Sequence, residues 1–301
     1  MKIRFNTLTK SIKSNHNSMR SQRSVFFYLA FSYLLFSILP NQVQGQSMNL
    51  PDKNKMQPYT NLNLYPELEK LITQNDLTAC VYIVKADYTD SLVVNADRVD
   101  SMFLPASTFK IPNTLIALEE KAIKGLYDTI KWDGVTRSVD EWNHDQTLKS
   151  AFKYSCVWFY QELARRIGLE KYSIWLKKLN YGNEIAGPGV DDFWLQGDIK
   201  ISAREQVTFL RKVYYREYPF SSDHYNILNR AMLVDSTADY KLFVKTGWAA
   251  RLEKQVGWYV GYVESQGKVW FFAANLTINN EEEIAFRREL IIKALKDLKI
   301  I

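Results

Sequence analysis

Between residues 78 and 86, and again between 91 and 95, the chain gathers branched and aromatic side chains into short runs that predict paired β-strands. A polar stretch over 46–62 precedes them, and 65–75 has the spacing of a short helix. From Ile111 onward the apolar positions Leu115, Ile116 and Leu118 recur at helical spacing behind Pro105, which predicts a buried helix beginning near Ser107. Residues 125–235 read as mostly helical, with 148–167 as one helix-like segment and polar loops at 132–143 and 181–197. Strand signals return only at 242–246, 256–264 and 269–276. Residues 281–298 close the chain as an amphipathic helix with Ile284, Leu290, Ile291, Leu295 and Leu298 along one stripe. Strands at both ends with helices between them predict an α+β fold. One antiparallel sheet is built from the two termini and flanked by helices, and a helical lobe stands beside it with a cleft between.

Composition sharpens that picture by exclusion. With 301 residues and 47% hydrophobic content the chain can bury a large core, and nothing in it resembles a solenoid, a coiled coil or a disordered polymer. The formal charge of +6 hints at nucleic acid or membrane until it is located: Lys2, Arg4, Lys10, Lys13, Arg20 and Arg23 all precede residue 46, with no acidic residue among them. Removing residues 1–45 leaves 39 − 6 = 33 basic residues against 33 acidic ones, so net charge gives no support to a nucleic-acid partner. That basic stretch, the apolar run over 25–39 and the small residues ending at Gly45 read as a signal peptide cleaved after Gly45. An uncleaved anchor is the alternative, against which the run of 15 residues is short for a membrane span. No cysteine follows the run, which argues against a lipid anchor, and Met19 opens an ordinary basic leader as a second start. The expectation is an exported, periplasmic protein with no stable membrane association after cleavage. Residues 46–62 then serve as a linker and 63–301 as the folded domain. Cys80, in a predicted strand, and Cys156, in a predicted helix, read as buried small hydrophobes, with a bridge between them as the alternative that export permits.

Chemistry concentrates at Ser107-Thr108-Phe109-Lys110, where a hydroxyl and an amine stand one helical turn apart on one face, a nucleophile with its own base. The same Ser-x-x-Lys spacing occurs at Ser150–Lys153 and Ser265–Lys268. Ser265 falls in a predicted hairpin turn between two strand runs, and Ser150 falls inside the 148–167 segment without a helix N-terminus to assist it, so both read as structural. Lys245-Thr246-Gly247 ends a strand and offers a cation, a hydroxyl and a glycine whose bare backbone lets a substrate lie against the strand edge. Ser155-Cys156-Val157 adds a second serine.

In this order and spacing the motifs resemble those of the class D, oxacillin-hydrolysing, serine β-lactamases. The resemblance runs over about residues 78–299 and rests on residues 105–119, Ser155-Cys156-Val157, Tyr181-Gly182-Asn183, residues 193–197, Lys200-Ile-Ser-Ala203 and Lys245-Thr246-Gly247. It implies a serine β-lactamase and penicillin-binding transpeptidase-like fold, a small β-lactam substrate, and hydrolysis of the lactam amide through an acyl-serine intermediate, conferring antibiotic resistance. It implies no metal or organic cofactor, only CO2 carried as a carbamate on Lys110. Only His144 and His224 remain beyond the leader, too few for the clustered ligands of a zinc β-lactamase.

The resemblance also assigns roles. Ser107 is the nucleophile, and the N–H groups of Ser107 and Trp248 form the oxyanion hole. Carboxylated Lys110 is the general base, in apolar surroundings that Phe109, Val157 and Leu195 would supply and with the Trp194 indole N–H holding the carbamate. Ser155 relays a proton to the lactam nitrogen, helped by the charge of Lys245. Thr246 and Arg287 receive the substrate carboxylate beside Gly247, while Arg288 is read as a solvated charge, Arg251 as a possible border of the site and the Tyr181 turn as a shaping element. A penicillin-binding D,D-peptidase or a non-hydrolytic β-lactam sensor shares the first step and stands as the alternative; Trp194 within the 193–197 loop argues for the hydrolase.

Overall fold

The computed structural model describes residues 66–301, so the leader and the linker over 46–62 lie outside the described residues. After α1 (Pro66–Gln74) come β1 (Ala79–Lys85) and β2 (Ser91–Val94), then α2 (Ala96–Asp100) and α3 (Lys110–Glu119). A two-stranded ribbon, β3 (Thr129–Ile130) with β4 (Gln146–Thr147), leads into α4 (Leu148–Lys153), α5 (Val157–Ile167) and α6 (Leu169–Leu179). The short α7 (Phe193–Gln196), then α8 (Ala203–Tyr214) and α9 (Ser222–Met232), complete the helical lobe. The chain returns through β5 (Leu233–Ser236), β6 (Tyr240–Trp248), β7 (Gln255–Ser265) and β8 (Lys268–Ile278) to α10 (Phe286–Asp297).

The expected sheet from both termini is present: its order is β2-β1-β8-β7-β6-β5, with each neighbouring pair antiparallel. Central strands β7 and β8 are buried along nearly their whole length because both faces are covered. Leu68 of α1 and Leu290, Ile291, Ala294 and Leu295 of α10 close one face. The lobe, with Phe109, Leu115, Phe159 and Val207 among its buried side chains, closes the other. Among the described residues no helix is long and apolar enough to cross a membrane. Cys80 and Cys156 are both buried and unbridged, and burial pushes each thiol up to about 11.

Three local expectations need correction. Ser107 does not open an α-helix: it lies in a 3-10 turn, Ala106–Phe109, and the α-helix begins at Lys110. The 148–167 segment is two helices, broken where Ser155 adopts φ +54°. Ser150 consequently sits in the first turn of α4, where it shares a capping box with Thr147, and its hydroxyl is occupied by Gln146 Oε1 at 2.8 Å. The mostly helical stretch expected to run to 235 ends earlier, because β5 follows α9 without a turn signal and is an exposed edge strand joined to β6 through a bulge. The Ser265 hairpin is as expected, with Gln266 and Gly267 both at positive φ.

The 181–183 turn shows how closely the lobe is built around the site. Gly182 has φ +55°, and a Cβ there would meet the Lys200 carbonyl oxygen at 2.0 Å. Gly182→Ala is therefore expected to cost more than about 2 kcal/mol from left-handed strain and overlap together. Urea denaturation of the variant beside the wild type measures it; an unchanged midpoint would contradict this packing.

Candidate active site

Ser107 stands where the lobe meets β6. Thr108 N donates to Pro105 O at 3.1 Å, the first main-chain bond of the 3-10 turn, which leaves the N–H of Ser107 outside the turn's own bonding. Lys110, the first residue of α3, is fully buried and donates through Nζ to Ser107 Oγ at 2.9 Å. Its nitrogen faces the Tyr160 ring at 5.0 Å rather than a carboxylate. Phe109 stacks on Trp194 with centroids 5.6 Å apart, Leu195 is 7% exposed, and half-buried Val157 opens α5 nearby in the same core. Burial holds the Lys110 amine down at about 7, with a small opposing influence from Cys156.

A second serine–lysine pair lies opposite. The positive φ of Ser155 turns its hydroxyl out of the α4–α5 break, where it accepts from Lys245 Nζ. Lys245 is 3% exposed and also donates to Thr246 O at 3.2 Å. Burial, then the charge of Lys110, then that of Arg287, hold its amine well below the usual lysine range. The sequence treats Lys245 as an ordinary cation; the structure gives it a disfavoured charge.

The register of β6 and β7 sets what the strand edge offers. Ala249 N donates to Val256 O at 2.9 Å, so in the antiparallel alternation Gly247↔Trp258 is a hydrogen-bonded pair and Trp248↔Gly257 is not. The N–H groups of Thr246 and Trp248 therefore point away from β7. β5 pairs with β6 only as far as Phe243, leaving the edge at Lys245–Trp248 open. Arg287 of α10 is partly buried and donates Nη1 to Gly247 O at 2.8 Å, which brings its charge beside Thr246; burial lowers its guanidinium from the ordinary value. Arg288 is exposed, as expected. Gly247 has a packing role as well: a Cβ there would meet Pro105 O at 2.9 Å and Thr108 Cγ2 at 3.1 Å, so the glycine lets β6 pack against the turn that carries Ser107.

The Trp194 indole Nε1 is buried without a hydrogen-bond partner among the described residues, a costly arrangement for a donor, and its ring stacks on Phe109, the residue before Lys110. On the rim, Arg251 reaches from the β6–β7 connection to Gln196 Oε1 of α7 at 3.4 Å, joining the two sides of the cleft. Among the described residues no three His, Cys, Asp or Glu side chains gather in a metal-binding group.

Residues 71–295 match the family model described as the penicillin binding protein transpeptidase domain. The chain is 45% identical over 207 residues to β-lactamase OXA-48 of Klebsiella pneumoniae, covering 69% of this chain and 78% of that one. It is 40% identical over 204 residues to OXA-2 of Salmonella typhimurium, covering 68% and 73%. The chain belongs to the class D β-lactamases. The solved class D enzyme YbXI from Nostoc superposes with a TM-score of 0.76 at 38% identity, covering 78% of this chain and 99% of that one. FUS-1 (OXA-85) from Fusobacterium nucleatum gives 0.75 at 33%, covering 78% and 98%.

Sequence reasoning passed over two residues of this β-lactamase's site. Tyr160, under the Lys110 nitrogen, reads as one more apolar helix position, and Gln206, behind the nucleophile's turn, as one more polar one. Both come to the site through packing between helices, for which a single chain carries no local signal.

The depressed Lys110 amine gives a pH signature. Between about 7 and the ordinary 10.5 the unfolded chain binds a proton that the native state does not, so native stability rises with pH across that window. Lys110→Met removes the buried amine, and its stability advantage over wild type is expected to be largest below pH about 7 and to shrink toward pH about 10. Urea unfolding across this range in CO2-free buffer reads it; a pH-independent difference would contradict the assigned burial cost.

Proposed function

We propose that this class D enzyme opens β-lactams through an acyl-serine formed on Ser107, and that Lys110 works in its CO2-carboxylated form. The observation that carries the reading is the pairing of two buried lysines with half-buried serines, Lys110 with Ser107 and Lys245 with Ser155, together with a Trp194 indole that has no partner among the described residues. A neutral amine is what CO2 adds to, and the Lys110 amine lies near neutrality already. Trp194 Nε1 is the free donor that would hold the added carboxyl group. When present, the carbamate supplies a general base in apolar surroundings.

The remaining chemistry belongs to the chain's own residues. Arg287 and the Thr246 hydroxyl take the carboxylate beside the lactam nitrogen. The Ser107 and Trp248 N–H groups receive the carbonyl oxygen, where they stabilise the negative charge of the tetrahedral intermediate. Ser107 Oγ bonds to the carbonyl carbon as its proton leaves toward the Lys110 side chain. As the C–N bond breaks, Ser155 gives a proton to the departing nitrogen and is resupplied from Lys245. Water then attacks the acyl carbon and Ser107 leaves with a proton, releasing the opened antibiotic. The basic leader and the relatives' activity support a role in resistance, exercised after export to the periplasm.

If Trp194 holds the carbamate, Trp194→Phe keeps the stack on Phe109 but removes the donor. Deacylation is then expected to slow within the ~10²–10⁴-fold range of general-base assistance, and added bicarbonate to restore part of it. Oxacillin turnover with adduct mass followed in parallel tests this. Unchanged turnover would refute the role of Trp194, and a stable wild-type adduct without turnover would favour a sensor or peptidase.

A further inference from the structure

The nucleophile's turn holds a conformation that must be fixed from outside. Ala106, directly before Ser107, has φ +47°, a left-handed conformation that is strained for a residue bearing a Cβ. Its methyl group offers no hydrogen bond, so the turn is held through its neighbours. Both donors of Thr108 converge on one acceptor: the amide meets Pro105 O at 3.1 Å and the hydroxyl meets it at 2.7 Å. A hydroxyl has one proton, and once it is given to Pro105 the oxygen can only accept from elsewhere. Gln206 Nε2, from α8, makes that bond at 2.8 Å.

Thr108 and Gln206 are both fully buried, so no bulk water replaces either partner. The direction of the bonds is thereby fixed, from the Gln206 amide to the Thr108 hydroxyl to the Pro105 carbonyl. The buried Tyr181 hydroxyl lies against the same two side chains and is the donor type that the unused Gln206 Oε1 accepts. The other end of the chain of bonds bears on the strand edge: Pro105 O is the atom nearest to the missing Cβ of Gly247. Ser107 stands between Pro105 and Thr108, the two anchored residues.

We propose that Gln206 is a positioning residue of the acylation step, acting through Thr108 and Pro105 to set where Ser107 Oγ and its N–H stand against Lys110 and the edge of β6. The proposal rests on Ser107 being the nucleophile. Displacing a reacting group by about 1 Å can cost ~10²-fold in rate, enough for a residue that touches no substrate to govern kcat.

The test compares single-turnover acylation of Ser107 by a β-lactam, read by adduct mass, in Gln206→Leu, Thr108→Val, the double variant and Thr108→Ser. Each of the first two is expected to acylate ~10–100-fold more slowly with substrate affinity little changed. The double variant should be no slower than the slower single, because the two side chains act as one unit. Thr108→Ser keeps the hydroxyl and should recover most of what Thr108→Val loses. Variants that melt earlier yet acylate at the wild-type rate would overturn the proposal, as would losses that add in the double variant. If Gln206→Leu does not fold, the contrast between Thr108→Val and Thr108→Ser decides alone. A wild-type enzyme without an adduct on Ser107 would instead remove the nucleophile assignment, before any variant is compared.

Discussion

Two lysines buried side by side, each facing a hydroxyl and an aromatic ring instead of a carboxylate, are the constraint on which the rest of the site depends. Neither Lys110 nor Lys245 has an ion-pair partner among the described residues, and the charge of Lys110 adds to burial in depressing Lys245. Two uncompensated ammonium groups in a dry site are expensive, because desolvation and mutual repulsion act in the same direction. Leaving Lys110 neutral relieves part of that cost. On the proposed reading, CO2 relieves the rest: a carbamate on Lys110 turns a like-charge neighbour into a counter-ion. The same addition gives Trp194 Nε1 an acceptor. One reaction thus answers the site's charge conflict and its orphaned donor.

The fold makes this arrangement stable by spending hydrophobic burial on both faces of a long sheet. Lys245 is carried on a strand whose inner neighbour, β7, is buried over almost its full length, and Lys110 on a helix whose first nine residues are buried. Ser107 and Ser155 lie at left-handed irregularities, Ala106 and Ser155 itself, where the lobe turns toward β6. Strain of this kind persists only where surrounding structure over-determines it. Here Gly247 permits the close approach, and Thr108 fixes the turn that approaches.

Much of this was legible in the residues. Alternating and clustered apolar runs placed β1, β7, β8 and α10, and the motifs named the serines and lysines that the structure brings together. What escaped had no local signature. β5 is an exposed edge strand of four residues continuing straight from a helix, so its pattern resembles more helix. Tyr154–Cys156 interrupts a helical periodicity that sequence alone carries through unbroken. The packing role of Gly247 has no local signal because its close neighbour, Pro105 O, is more than a hundred residues away in the chain. Gln206 and Tyr160 are silent for the same reason: their meaning depends on which helices pack together.

The central claim is that Lys110 exists as a carbamate in the resting enzyme. Equilibrating the protein with 13C-labelled bicarbonate and recording its 13C NMR spectrum tests this directly. A carbamate resonance present in wild type, lost in Lys110→Ala and weakened in Trp194→Phe is the predicted result. A fully active wild-type enzyme with no carbamate resonance would contradict the account.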